Sequence, residues 1–291
     1  MAASGSRIPR QHLSSSVFIC GQEAVTSLAP ETQYDPIADL YDGYPGDYLE
    51  DLLFYVEEGK VSRAPVLEIG VGTGRLALCL AAVGVDVIGI DTSLPMLQRL
   101  AHKRAGLPEI APRVRVLAAD MRRFALRQRF EVVIMPFRTF LYLLTPADQR
   151  LALRSIRQHI EPGGFLVMSF FVPPDDLLNQ GRTPRQEMSR FPAPDGEGEI
   201  VAYDWAEFIP SQRLIVSHIT YEWRDQHDRA TRQLEHTMVA RYVFPDEVPP
   251  MLESCGYRLL HAYGSFAREP LNGKSKEQIW IAEPHRKRRS T

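Results

Sequence analysis

The chain is short of several things that would assign it quickly. Only three cysteines occur among 291 residues. Cys20, Cys79 and Cys255 are widely separated and form neither a CxxC pair nor a paired framework, so disulfide scaffolds and Cys-ligated metal sites are excluded and a reduced cytosol is the expected setting. No apolar run reaches the roughly 18 residues that span a bilayer. Residues 1–30 hold no sustained apolar stretch either, so neither a signal peptide nor a membrane span is expected. Charge of one sign is missing too: 34 basic residues face 36 acidic ones, for a net charge of -2. That balance offers no global attraction for nucleic acid or for an anionic membrane, and favours a small neutral or mixed-charge partner.

The chain that remains is 44% hydrophobic and 24% charged, enough to bury a substantial core. Residues 1–33 are small and polar and read as a loose tail. From Tyr34 onward, Ile37, Leu40 and Tyr41 take helical spacing, and Tyr48, Leu49, Leu52, Leu53 and Val56 continue it to Gly59. Two helices hinged at residues 43–46 are predicted. Short apolar runs at 65–70, 85–90, 114–118, 130–135 and 165–171 alternate with helical stretches at 75–83, 94–103 and 147–159. Such alternation predicts a doubly wound, mostly parallel α/β sheet covered on both faces.

After Pro173-Pro174 the pattern changes. Residues 180–199 read as loop, and strands at 200–208, 213–223 and 233–244 follow without helices, as in a three-stranded antiparallel insertion. A helix at 247–254 and strands at 257–262 and 278–282 complete a seven-stranded main sheet. The expected organisation is therefore a tail at 1–33, an α/β core with N-terminal lid helices at 34–172, the insertion at 173–244, the last core elements at 245–283 and a basic tail at 284–291.

The most informative stretch runs Glu68-x-Gly70-x-Gly72-x-Gly74, with three glycines at alternate positions between a strand and a helix. Glycines there let backbone approach a ligand closely and aim helix N-terminal amides at it. The spacing fits neither phosphate-binding loop: a dinucleotide GxGxxG would need glycine where Arg75 stands, and no GK[ST] follows. Asp91 ends the second strand seventeen residues after Gly74, where a carboxylate meets ribose hydroxyls in α/β cofactor sites. A buried Glu68 under the turn suits a ligand with a cationic end and would repel a pyrophosphate.

These residues, together with Ala119-Asp120-Met121 after strand three, resemble the class I S-adenosylmethionine-dependent methyltransferases over about residues 34–283. The resemblance implies that S-adenosylmethionine is the cofactor. Its methionine part would meet Gly70, Gly72 and Gly74, its ribose Asp91 beside Thr92, and its adenine Asp120 with Met121; Pro136 after strand four counts with the same site. Asp120 can equally cap a helix.

The segment Tyr34-Asp-Pro-Ile-Ala-Asp-Leu-Tyr41-Asp42, the insertion and residues 257–266 are similar to a branch of small-molecule N-methyltransferases acting on nucleotide-linked aminosugars and natural-product amines. That likeness implies a lid bearing Tyr34 and Tyr41, an insertion that closes over the acceptor, and a homodimer through the insertion. The alternative is that both tyrosines simply pack on the core. The branch often carries a histidine after strand four, where this chain has Tyr142, so the proton acceptor is left open among Tyr34, Tyr142, His218 and His236.

Residues 135–142 lack the Asn-Pro-Pro-Tyr and Pro-Cys motifs of DNA-base methylation, and no Asp/Asn cluster with metal-ligand spacing follows, so no metal and no nucleic acid are expected. Arg138 faces either an anionic part of the acceptor or a surface ion-pair partner. Tyr203, Trp205 and Trp223 suit a lid wall or a dimer surface. The expected activity is methyl transfer to a small-molecule amine. O- or carboxyl methylation, a macromolecular acceptor and a non-catalytic binding module are the alternatives.

Overall fold

The computed structural model describes residues 33–43 and 49–285. The proposed tail up to residue 32, the hinge residues 44–48 and the basic residues 286–291 lie outside them. Helix α1 (Glu50–Lys60) leads into β1 (Val66–Ile69), followed by α2 (Arg75–Ala82), β2 (Val87–Asp91), α3 (Leu94–Ala105), β3 (Val114–Ala118), β4 (Phe130–Met135), α4 (Pro146–Arg157) and β5 (Ile160–Phe171). Every residue of β1 is buried, as parallel strands covered on both faces require. Two helices start on side-chain caps: Ser93 Oγ accepts from the Met96 amide ahead of α3, and Thr145 Oγ1 from the Asp148 amide ahead of α4. Each satisfies an amide that the first helical turn leaves without an intrahelical partner.

A short α5 (Asp175–Gln180) opens the insertion, which comprises β6 (Gln186–Pro192), β7 (Glu199–Ile209), β8 (Leu214–Arg224) and β9 (Ala230–Arg241). Helix α6 (Val248–Ser254), β10 (Tyr257–Tyr263) and β11 (Glu277–Pro284) then return to the main sheet. That sheet has seven strands in the order β10-β11-β5-β4-β1-β2-β3. Strand β11 runs antiparallel to both β5 and β10, and the remaining pairs are parallel. The predicted α/β architecture with an antiparallel insertion is the one observed. Among the described residues no helix is long and apolar enough to cross a membrane.

Three expectations need correction. The insertion sheet has four strands, β6-β7-β8-β9, because residues 186–192 of the predicted loop form an edge strand. The sequence there, QEMSRFP, is mostly exposed and lacks the apolar alternation that marks a half-buried strand. The first lid helix is instead a pair of three-residue 3-10 turns, Asp35–Ile37 and Tyr41–Gly43. Apolar residues three apart share a face in a 3-10 turn as they nearly do in a helix, so the spacing of Ile37 and Leu40 could not separate the two. Finally, Gln33 does not belong to a loose tail, since it is only 4% exposed.

The N-terminal segment lies between the insertion sheet and the turns that open α2 and α3. Ile37 and Leu40 pack with Ile200, Ala202, Ile219, Tyr221 and Trp223 of the insertion, while Tyr34 and Tyr142 lie against the same cluster. Gln33 holds the segment to β9: its amide nitrogen donates to the Val239 carbonyl at 3.2 Å, and its oxygen accepts from the Val239 amide. Strand β9 is an edge of the insertion sheet, so one side chain satisfies backbone groups that a neighbouring strand would otherwise take. Gln33→Ala should lower stability by about 1–3 kcal/mol, the range for leaving buried polar groups unpaired. Hydrogen exchange at the Val239 amide should speed up with it, and an unchanged rate there would refute the edge-capping role.

Candidate functional site

The turns at the carboxyl ends of β1, β2, β3 and β4 enclose a cleft of about 910 Å³ including its open mouth, lined by Gly70, Gly72, Asp91, Thr92, Asp120 and Met121 among others. Gly70, Gly72 and Gly74 all hold left-handed backbone conformations, at φ 73°, 53° and 83°. A Cβ on Gly70 would lie 2.4 Å from Thr139 Cγ2 and one on Gly74 2.2 Å from Leu100 Cδ1, whereas at Gly72 the nearest atom is Met96 Cε at 3.3 Å. Two of the glycines thus admit neighbouring elements, and the third keeps the cleft floor low.

Asp91 anchors the floor. Its carboxylate accepts from the Gly72 amide at 2.8 Å and the Ser93 amide at 2.9 Å. Burial raises its pKa, against the lowering influence of those amides and of Thr92. At the other end, Asp120 accepts from the Arg122 amide at 2.8 Å and from Arg122 Nε and Nη2 at 2.8 and 2.6 Å. Burial pushes Asp120 up, but the Arg122 contacts together outweigh it and hold the carboxyl below its ordinary range. Arg122 Nη1 also lies 3.5 Å from Asp148, a third acid on the wall.

Three tyrosines close the opposite side. Tyr34 meets Tyr41 and Tyr142 edge-on, with ring centroids 5.4 and 5.2 Å away. Its hydroxyl donates to the Tyr142 hydroxyl. Burial raises the pKa of both Tyr41 and Tyr142, so both stay protonated phenols at neutral pH. The segment carrying Tyr34 and Tyr41 is tied to the core by polar contacts: Asp35 accepts from Ser93 Oγ at 2.5 Å, and Asp42 from Thr73 Oγ1 at 2.5 Å and Lys103 Nζ at 3.0 Å.

Other anticipated residues stand elsewhere. Glu68 is buried beneath the glycine loop and does not line the cleft; burial drives its pKa well up, Arg75 pulling the other way. Gly74 caps α2, and the Pro136 carbonyl is occupied by Thr139 Oγ1 at 2.7 Å. Arg138 does not reach the cleft: it pairs with Glu277 at 3.1 Å and lies over the Phe171 ring, which is the ion-pair alternative. His218 stacks on Trp205 at 4.0 Å, His236 sits within β9, and neither lines the cleft; Trp223 is buried under the N-terminal segment. Sequence reasoning passed over Arg122, Ser93, Met96 and Asp148. Only Arg122 carried a legible signal, as a cation two positions after a candidate acid.

The residues present fit S-adenosylmethionine. A glycine floor admits a close-lying chain, a carboxylate at the end of β2 suits a diol, and an aromatic roof suits a sulfonium. Glu68 Oε2 lies beneath the loop, buried and without a hydrogen-bond partner among the described residues.

Residues 66–164 match the family model described as a methyltransferase domain. The chain is 26% identical over 219 residues to a cypemycin N-terminal methyltransferase of a Streptomyces species, covering 75% of this chain and 82% of that one. It is 30% identical over 138 residues to the dTDP-3-amino-3,4,6-trideoxy-α-D-glucopyranose N,N-dimethyltransferase of Streptomyces venezuelae, covering 45% and 55% of the two chains. Among solved structures, the CcbJ methyltransferase of Streptomyces caelestis superposes with a TM-score of 0.74 at 26% identity, over 89% of this chain and 100% of that one.

A pH prediction follows from Glu68. Its folded pKa lies well above the ordinary 4.5, so the folded state binds the extra proton and stability falls as pH rises from the ordinary toward the folded value. Glu68→Gln removes that loss. Urea denaturation should show the variant gaining on the natural protein by about 1 kcal/mol or more between pH 5 and pH 8, and equal slopes would show that Glu68 ionises normally.

Proposed function

Taking as premise that the chain is an S-adenosylmethionine-dependent methyltransferase, we propose that it methylates an amine nitrogen of a small molecule. When bound, the cofactor supplies an electrophilic methyl group on a sulfonium. Asp91 is assigned to the ribose hydroxyls, the glycine loop to the methionine part and the wall at Asp120 and Met121 to the adenine. Because both Asp120 oxygens already accept from Arg122, the adenine in this reading meets an Arg122-Asp120 couple in place of a free carboxylate.

The observation that carries the acceptor reading is the Tyr34-Tyr142 hydroxyl pair on the cleft wall. With Tyr34 donating to Tyr142, the pair offers phenol oxygens of the kind that accept an amine N–H, and the Tyr142 proton can be donated to a polar neighbour. This arrangement orients a neutral amine without having to deprotonate it. An alcohol would need a base, and among the described residues lining the cleft there is neither histidine nor lysine, while Asp91 and Asp120 are engaged by backbone amides and by Arg122, and Asp148 by Thr145 Oγ1 and Arg122. Displacement at a methyl group depends chiefly on holding donor and acceptor in line and dry, which the three-tyrosine roof supports. The names of the N-terminal and aminosugar methyltransferases among the relatives point to the same atom.

Asp91→Ala should weaken calorimetric binding of S-adenosylhomocysteine at least tenfold, as expected for losing charge-assisted hydrogen bonds of about 1.5–3 kcal/mol. Unchanged affinity would remove the ribose assignment. Acceptor class is tested by offering methyl-labelled cofactor with aminosugars, amino acids, peptide amino termini, phenols, carboxylic acids and transfer RNA. Label is expected in amine nitrogen, with kcat/KM rising about tenfold per pH unit below the acceptor's own pKa because the enzyme accepts only its neutral form. Tyr142→Phe should lower kcat by about 10 to 100-fold. Label confined to ethers or esters would overturn the nitrogen assignment, and label in polymer alone would overturn the small-molecule one.

A further inference from the structure

Arg75 follows Gly74 directly and opens α2. Its guanidinium forms a two-pronged pair with Asp51 of α1: Nη1 donates to Oδ1 at 2.9 Å and Nη2 to Oδ2. The Asp51 side is fully buried. The same guanidinium carbon lies 4.5 Å from the ring centroid of Phe137, which lines the cleft in the turn after β4. Phe137 and Arg138 are consecutive non-glycine residues in left-handed conformations, at φ 50° and 66°. Bulky side chains rarely hold that region, and two in succession persist only where surrounding contacts impose it. On the far side, Arg138 is held by Glu277 and by the Phe171 ring. On the near side the Arg75 guanidinium lies over the Phe137 ring.

The two turns touch at a second point. A Cβ on Gly70 would collide with Thr139 Cγ2 at 2.4 Å, so the turn after β4 packs directly on the bare backbone of the glycine loop. The loop assigned to the cofactor and the turn that lines the cleft beside the tyrosines therefore meet at both ends of the glycine run, through Gly70 with Thr139 and through Arg75 with Phe137.

We propose that Arg75, oriented by Asp51, is a positioning residue that holds Phe137 in its left-handed conformation and so couples occupancy of the glycine loop to the shape of the acceptor wall. A planar fork can grip a carboxylate with one edge while its face lies on a ring, which an ammonium cannot do. The inference takes from the reading above only that the cofactor meets the glycine loop, and does not require the acceptor to be an amine.

The test is hydrogen exchange of the full chain with and without S-adenosylhomocysteine, followed by mass spectrometry at residues 70–76 and 136–142. In the natural protein both segments should slow on binding. Arg75→Lys keeps the charge and loses the fork, so slowing at 70–76 should persist while slowing at 136–142 drops by about threefold or more. Phe137→Leu leaves the Arg75-Asp51 pair intact and should give the same selective loss, and it decides the matter if Arg75→Lys does not fold. A merely structural role would change both segments alike, with or without ligand. Natural-like slowing at 136–142 in either folded variant, or indifference of that segment to ligand in the natural protein, would overturn the proposal, whatever the labelled-methyl assay finds about the acceptor.

Discussion

The carboxylate of Asp91 is the point on which the site depends. It stands at the end of β2 and accepts from the Gly72 amide of the neighbouring loop and from the Ser93 amide of its own turn. One side chain thereby fixes a glycine run, whose left-handed conformations would be poorly determined on their own, against the start of α3. Ser93 extends the arrangement: its hydroxyl caps α3 through the Met96 amide and donates to Asp35 of the N-terminal segment. Floor, helix and roof thus share a chain of hydrogen bonds that begins at one half-buried acid. Taking that acid out of water raises its pKa, and the amides are what keep the carboxylate form within reach.

The main sheet was legible because parallel strands buried on both faces need continuous apolar runs. Residues 130–135, all but one of them buried, were placed at the boundaries the structure shows. Legibility failed where that requirement lapses. Strand β6 is an edge strand with a mostly exposed, polar sequence, and its pairing with β7 is dictated from across the sheet. The turns at Asp35–Ile37 and Tyr41–Gly43 present Ile37 and Leu40 much as a helix would.

On the cleft wall, residues with a fixed place in the strand-turn pattern stand where the spacing put them: Gly70, Gly72, Asp91, Asp120 and Tyr142. What escaped was partner choice. Arg138 projects toward Glu277 because its backbone is left-handed, a fact no spacing encodes. Arg122 folds back onto Asp120 within two residues, converting an apparently free acid into half of an ion pair. Glu68, read as the underside of a cationic site, is displaced from the cleft by the burial of all of β1, and that burial drives it toward its neutral form.

The fastening of Gln33 to Val239 bears on the order in which the molecule assembles. The two residues are 206 positions apart. As the chain is synthesised from its amino terminus, domains fold from that end, and a contact cannot close until both partners have emerged. Residues 34–43 must therefore wait for β9 before they can take their final seat. The cleft floor, built from β1 to β4, is complete in sequence long before its roof can be secured. Asp35 can meet Ser93 and Asp42 can meet Thr73 earlier, so the fastening to β9 is the last of the roof's contacts that synthesis allows.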